Sequence, residues 1–214
     1  MRGGFLKVLS YVVGPADNNL YAIIDDAESE CVLVDPGIDS QWVWLQIKTQ
    51  PYRFPFILNT HAHLDHIYEN AFFRMNSGGK LCMHADAAKS LDDIPLQASW
   101  FGMDPPDPFE PDGILTDNEE IPVGAERLKV IHTPGHSPGG VCFVGNDFVI
   151  SGDILFAGSV GRTDLPGGDR NALLCSIRTK LLSLPDTYTV YPGHGPTTTI
   201  GNERLFNPFL KEIR

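Results

Sequence analysis

A chain of 214 residues, 42% hydrophobic and 20% charged, is long enough to bury one substantial core, and it reads as a single globular domain spanning residues 1–214. Its formal net charge of −11 and sequence pI near 4.9 argue against a phosphate-backbone partner, so nucleic acid is excluded. No apolar run approaches the ~18 residues of a membrane span, and Lys7 interrupts the only apolar stretch near the start, so neither a membrane anchor nor a leader is expected and the protein should be cytoplasmic.

Residues 5–13, 19–24 and 31–34 are short β-branched or aromatic runs separated by turn residues, and they predict three antiparallel strands. A helix capped near Asp39 or Ser40 should follow through Trp42, Leu45 and Ile47, before residues 54–58 return to the sheet as a buried strand. Residues 66–75 look helical, 81–83 form a short strand and 85–91 a short helix. Residues 92–112 then break the pattern with five prolines among Trp100, Phe101 and Phe109, which predicts a long connection, either a lid at the active site or a stiffened surface crossing. The second half repeats the strand habit at 128–131, 141–144 and 148–150, followed by a helix at 172–184 and a strand at 187–191. Strand groups with helices in both halves suggest two sheets packed face to face with helices outside. Cys31, Cys82, Cys142 and Cys175 lie in apolar contexts with no close pair, as reduced core thiols would.

The most informative segment is Thr60-His61-Ala62-His63-Leu64-Asp65-His66, which follows the buried strand at 54–58 and packs three imidazoles and a carboxylate into six residues. Imidazole nitrogen with carboxylate oxygen suits zinc, iron or manganese, and His61 and His63, two apart on extended chain, point to one side. Further ligand candidates stand past apolar runs, each directly after a glycine: His136 after Gly135, Asp153 after Gly152 and His194 after Gly193. A residue without Cβ at the preceding position lets the backbone bend closely enough to aim one side chain into a crevice. His84 and His132 lack that context and are left out of the metal sphere, His84 as a strand-end cap or packing residue and His132 as packing or a hydrogen bond to a ligand.

Asp35, the His61–His66 cluster, His136, Asp153 and His194, in this order, resemble the metallo-β-lactamase superfamily across nearly the whole chain. The segments SGDILFAGSVGRTDLPGGD at 151–169 and YPGHGPTTTIGNERLFNPFL at 191–210 resemble its glyoxalase II branch, hydrolases of glutathione thioesters, in the short bacterial form. The resemblance implies an α/β fold, an αββα sandwich of two mixed β-sheets flanked by helices. It also implies two divalent metal ions per chain, zinc first with iron or manganese as alternatives. One ion would be held by His61, His63 and His136 and a second by Asp65, His66 and His194, with Asp153 bridging and Asp35 supporting from behind. Asp65 and Asp153 are the catalytic candidates. A bound metal ion lowers the pKa of water from 15.7 toward ~7, so hydroxide becomes available at neutral pH for attack on an acyl bond. The expected activity is hydrolysis of S-lactoylglutathione or another small thioester by a monomer or small homo-oligomer. A mononuclear iron persulfide dioxygenase, a lactonase or β-lactamase, and a non-catalytic metal-binding protein are the alternatives. Arg162 could touch an anionic substrate or pair internally with Asp164 or Asp169. Full-length glyoxalase II enzymes carry a C-terminal helical domain that grips glutathione; this chain stops at Arg214, which predicts modest discrimination among thiols.

Overall fold

A computed structural model describes residues 5–213. Residues 1–4, part of the stretch read as carrying no leader, and Arg214 lie outside the described residues. The first sheet holds six strands in chain order: β1 (Lys7–Val13), β2 (Asn18–Asp25), β3 (Glu30–Val34), β4 (Phe56–Leu58), β5 (Lys80–His84) and β6 (Gly113–Leu115). Its first two pairings are antiparallel and the remaining three parallel. The second sheet is built from β7 (Glu120–Val123), β8 (Glu126–His132), β9 (Val141–Val144) and β10 (Phe148–Gly152). After a hairpin of β11 (Leu155–Phe156) and β12 (Ser159–Val160), the sheet is completed by β13 (Thr189–Pro192) and β14 (Thr198–Thr199), in the order β14-β13-β10-β9-β8-β7. The helices are α1 (Gln41–Ile47), α2 (Leu64–Ile67), α3 (Asn70–Ser77), α4 (Ala85–Lys89), α5 (Ile94–Phe101), α6 (Arg170–Ser176) and α7 (Ile200–Phe206).

Strand alternation makes the layers. In β2, Tyr21 and Ile23 face the second sheet while Leu20, Ala22 and Ile24 face outward under α1 and α3, and β3 repeats this with Val32 and Val34 inside and Cys31 and Leu33 outside. The second sheet answers with Leu128, Val130, Val141, Phe143, Phe148 and Ile150 inside, and Val149, Cys142 and Val190 outward against Leu173 and Ile177 of the α6 segment. Apolar side chains on both faces of both sheets yield four layers, the expected αββα sandwich. Among the described residues no helix is long and apolar enough to cross a membrane.

Three expectations need correction. The predicted helix at 66–75 is two pieces, α2 and α3, because the first turn is tied down by the histidine loop through the His66 N–H to His63 C=O bond of 3.0 Å. The connection at 92–112 is partly helical: Pro95 sits in the first turn of α5, where its missing N–H has no intrahelical partner to lose, and Gly102 closes the helix in left-handed conformation. Cys175 is exposed, whereas Cys31, Cys82 and Cys142 are buried. Burial pushes the thiols of Cys31 and Cys142 up to about 12 and that of Cys82 up to about 11, which keeps them protonated and inert.

Candidate metal centre

All the sequence-derived candidates converge at the carboxyl ends of strands from both sheets, the place where open α/β sheets form crevices. Asp35 follows β3, the His61–His66 run follows β4, His136 stands in the turn after β8, Asp153 follows β10 and His194 follows β13. Two donor triads result. In one, His63 Nδ1 lies 3.1 Å from His61 Nε2 and 2.8 Å from His136 Nε2. In the other, His194 Nε2 lies 3.2 Å from His66 Nε2 and 3.3 Å from Asp65 Oδ2. Asp153 reaches both: its Oδ2 is 3.6 Å from His136 Nε2 and 3.5 Å from His194 Nε2, and its Oδ1 is 3.5 Å from His66 Nε2.

Hydrogen bonds behind the rings decide which nitrogen faces the cleft. Asp35 is buried and accepts from the Thr60 N–H at 2.7 Å, the Thr60 hydroxyl at 2.6 Å and His66 Nδ1–H at 3.1 Å. Since the Thr60 hydroxyl proton goes to Asp35, its oxygen accepts from His61 Nδ1–H at 2.9 Å. His136 Nδ1–H donates to the Arg162 carbonyl at 2.8 Å and His194 Nδ1–H to the Ala16 carbonyl at 3.0 Å. With those protons placed on Nδ1, the Nε2 atoms of His61, His66, His136 and His194 are free to turn lone pairs toward one another. Facing lone pairs at about 3 Å call for a proton or a cation between them, and the donor set of imidazole and carboxylate fits a first-row divalent metal ion. Asp153 Oδ1 fits the same requirement, being buried with no hydrogen-bond partner.

The electrostatics agree. At the second triad a proton answers the facing lone pairs: burial works to lower His66, yet the Asp65, Asp153 and Asp35 carboxylates outweigh it and hold the imidazole up to about 10, so a proton stands on Nε2 where a cation would replace it. Burial would also raise Asp65, but His66 and the hydrogen bond from His194 keep it well below the ordinary carboxylate range. His63 is pushed down to about 4 by burial and by His136 beside it, and burial drives His61 far down, so both stay neutral with lone pairs available. The second triad is therefore the charged one, an ionised Asp65 beside imidazoles that the carboxylates hold toward the protonated form, while His61 and His63 of the first are neutral.

The glycine expectation holds most sharply at Gly193, where a Cβ would stand 2.0 Å from Asp153 Oδ1 and 2.9 Å from His66 Cε1. Arg162 resolves toward the internal pair, its guanidinium bidentate on Asp164 at 2.7 Å and 2.7 Å, while its carbonyl orients His136. His84 caps α4 by accepting the Asp86 N–H and stacks on His132 with ring centroids 4.1 Å apart, and His132 Nε2–H donates to the Pro138 carbonyl. These two rings and Asp86 group closely enough to count as donors, but rings only 11° from parallel cannot aim in-plane lone pairs at one ion, so their exclusion stands. Sequence reading missed Thr60, the Ala16 and Arg162 carbonyls and Gln97, which accepts the Leu64 N–H within the histidine run; their roles depend on folding rather than on residue type.

An apolar-walled cleft of about 530 Å³ opens over the triads, bordered by Trp100, Phe101, Phe156 and Val160 together with His63, Asp65, His136, Asp153 and His194. The metallo-beta-lactamase superfamily matches residues 13–194. The chain belongs to that superfamily. It is similar to the hydroxyacylglutathione hydrolase GloC of Haemophilus influenzae, 36% identical over 193 residues that cover 88% of this chain and 91% of that protein. Among solved structures it is similar to the B3 metallo-beta-lactamase BLEG-1, with a TM-score of 0.90 and 36% identity, covering 96% of this chain and 100% of that one. It is also similar to TTHA1623 in a di-iron-bound form, with a TM-score of 0.86 and 38% identity over 95% of this chain and 100% of that one. Superfamily membership and the donor clusters together make this chain a metal-dependent hydrolase.

Proposed function

We propose that the protein is a dinuclear thioester hydrolase of the glyoxalase II type, acting on S-lactoylglutathione-like or other small thioesters. His61, His63 and His136 would hold one divalent ion and Asp65, His66 and His194 the other, with Asp153 shared. When bound, such ions supply Lewis acidity and hydroxide at neutral pH. Asp35, through Thr60 and His66, fixes ring orientation in both triads, and the Arg162 and Ala16 carbonyls fix His136 and His194. Asp65, held ionised, is an acceptor at the cleft floor able to orient a water proton. In the overall reaction a water oxygen bonds to the acyl carbon, the carbon–sulfur bond breaks, and the thiol leaves with one proton from the water while the acyl group leaves as carboxylate and the second proton passes to solvent. The cleft walls formed by Trp100, Phe101 and Phe156 hold the apolar part of the substrate and limit water access.

The observation that carries this reading is Asp153, which spans both triads and has a buried oxygen with no hydrogen-bond partner. The likeness to GloC supports the thioester class. A complete second triad favours the hydrolase over the mononuclear iron persulfide dioxygenase, in which only three protein ligands bind the metal. The test is a panel of thioesters offered to metal-loaded protein, run beside oxygen uptake on glutathione persulfide. Thioester turnover without oxygen uptake supports the proposal; oxygen uptake by a one-iron form overturns it.

A further inference from the structure

Helix α5, which the sequence pattern hid, is fastened to the candidate metal ligands. Its buried Gln97 accepts the Leu64 N–H at 2.9 Å and donates to the Ala62 carbonyl at 3.5 Å, both within the His61–His66 run. Trp100 therefore holds a set position relative to that run, three residues further along the helix. Trp100 is 51% exposed and Leu96 54%, a large apolar surface left uncovered on one short helix. Both face open space of a particular shape. Besides the cleft of about 530 Å³ there is a second, smaller cavity of about 70 Å³, and Trp100, His63, Gln97 and Leu165 border both. The smaller cavity runs on toward Leu96, Ala87 and Pro138. Two compartments thus meet at His63, with Trp100, Gln97 and Leu165 between them.

A thioester has the same topology, since two arms of unequal size diverge from one carbonyl carbon. Carrier thiols such as a tripeptide or a nucleotide-linked pantetheine are far too large for about 70 Å³, so only the acyl arm fits the smaller compartment. A water-sized group needs about 10–15 Å³ of such space, so about 70 Å³ has room for roughly five to seven non-hydrogen atoms beyond the carbonyl. Asp93 among its lining residues opposes an acyl group that bears its own carboxylate. We propose that this cavity is the acyl subsite and that Trp100 is its specificity-determining wall, so the substrates are thioesters of uncharged acyl groups of up to about eight carbons. The inference rests on the thioesterase reading above.

The test measures kcat/KM for acetyl, butyryl, octanoyl and dodecanoyl thioesters of one thiol, with wild type, Trp100→Ala and Leu96→Ala, all metal-loaded. Wild type should fall at least about 10-fold from octanoyl to dodecanoyl, and the dodecanoyl-to-acetyl ratio should rise at least about 10-fold in Trp100→Ala and in the same direction in Leu96→Ala. Calorimetric titration with the matching S-(2-oxoalkyl) thioethers, which lack the scissile bond, should rank chain lengths in the same order without turnover. Chain-length-independent hydrolysis, or a ratio unchanged in Trp100→Ala, overturns the subsite while leaving the thioesterase reading intact. No hydrolysis of any thioester overturns both.

Discussion

Gly193→Ala separates the site from the fold. The Gly193 backbone is pinned on both sides, its N–H donating to the Gly152 carbonyl at 2.8 Å and its carbonyl accepting the Asn19 N–H at 2.7 Å. It is not among the residues with positive φ, so alanine can adopt its conformation and the substitution acts through volume alone. The new Cβ would stand 2.0 Å from Asp153 Oδ1. An ordinary carbon–oxygen contact is about 3.3 Å, so with the backbone held the carboxylate has to retreat by about 1.3 Å. A constellation of this kind tolerates about 0.5 Å, and a misplacement of about 1 Å reduces turnover roughly 100-fold, equivalent to about 2.7 kcal/mol. Catalytic efficiency should therefore drop by about 100-fold or more. Bound metal, measured by mass spectrometry of the digested protein, should fall with it, while the melting temperature declines by no more than about 4 °C. In the same loop Gly195 has φ 75 with nothing within 4 Å of its added Cβ, so Gly195→Ala should cost about 1–2 kcal/mol of stability through backbone strain and spare the metal content. A Gly193→Ala protein with full metal content and catalytic efficiency within about 3-fold of wild type would refute the reasoning, since Asp153 could not then depend on the space beside Gly193.

Asp35→Ala leaves two Thr60 donors and His66 Nδ1–H without their acceptor in a buried place; urea denaturation should show a loss of about 3–5 kcal/mol and chelator competition a metal affinity 10- to 100-fold weaker, to order of magnitude. Phe143→Ala removes a fully buried ring between the sheets and should lower stability by about 3–5 kcal/mol while kcat per folded molecule stays the same. Asp65→Ala should release metal from the second triad before the first, read as sub-stoichiometric metal with the His61, His63 and His136 ion retained; equal loss from both would point to coupling through Asp153. Of four cysteines, Cys175 alone is exposed, so a chromogenic thiol reagent should titrate one thiol in the native protein and four after denaturation.

The candidate ligands were legible because their signal is local. A buried strand running into His61-Ala62-His63-Leu64-Asp65-His66 states both the donors and the sheet edge that delivers them, and a glycine before His136, Asp153 and His194 marks where the chain bends into the cleft. The sandwich was legible from short apolar runs such as β2 and β3 grouped with helices in both halves, runs without polar alternation because both faces of the sheet are covered. Helix α5 was not, because Pro95 reads as a breaker until one knows that it occupies the first turn, and because Trp100 and Phe101 lack a solvent-to-core periodicity when they face a cleft. The anchors behind the imidazoles were hidden for a different reason. Two of them are carbonyl oxygens, of Ala16 and Arg162, and every residue has one. Arg162 therefore drew attention to its guanidinium, which pairs with Asp164, rather than to its backbone. Cys175 was misplaced since its neighbours Leu173 and Leu174 are apolar, yet the helix turns position 175 to the outside.

The central claim is two divalent ions acting together on a thioester. Metal-free protein should be titrated with zinc or manganese while hydrolysis of one short-acyl thioester is followed, and turnover plotted against equivalents added. The account predicts that activity rises until two equivalents per chain and then levels. Activity that levels at one equivalent, or that never rises while an iron-loaded form consumes oxygen, would contradict it.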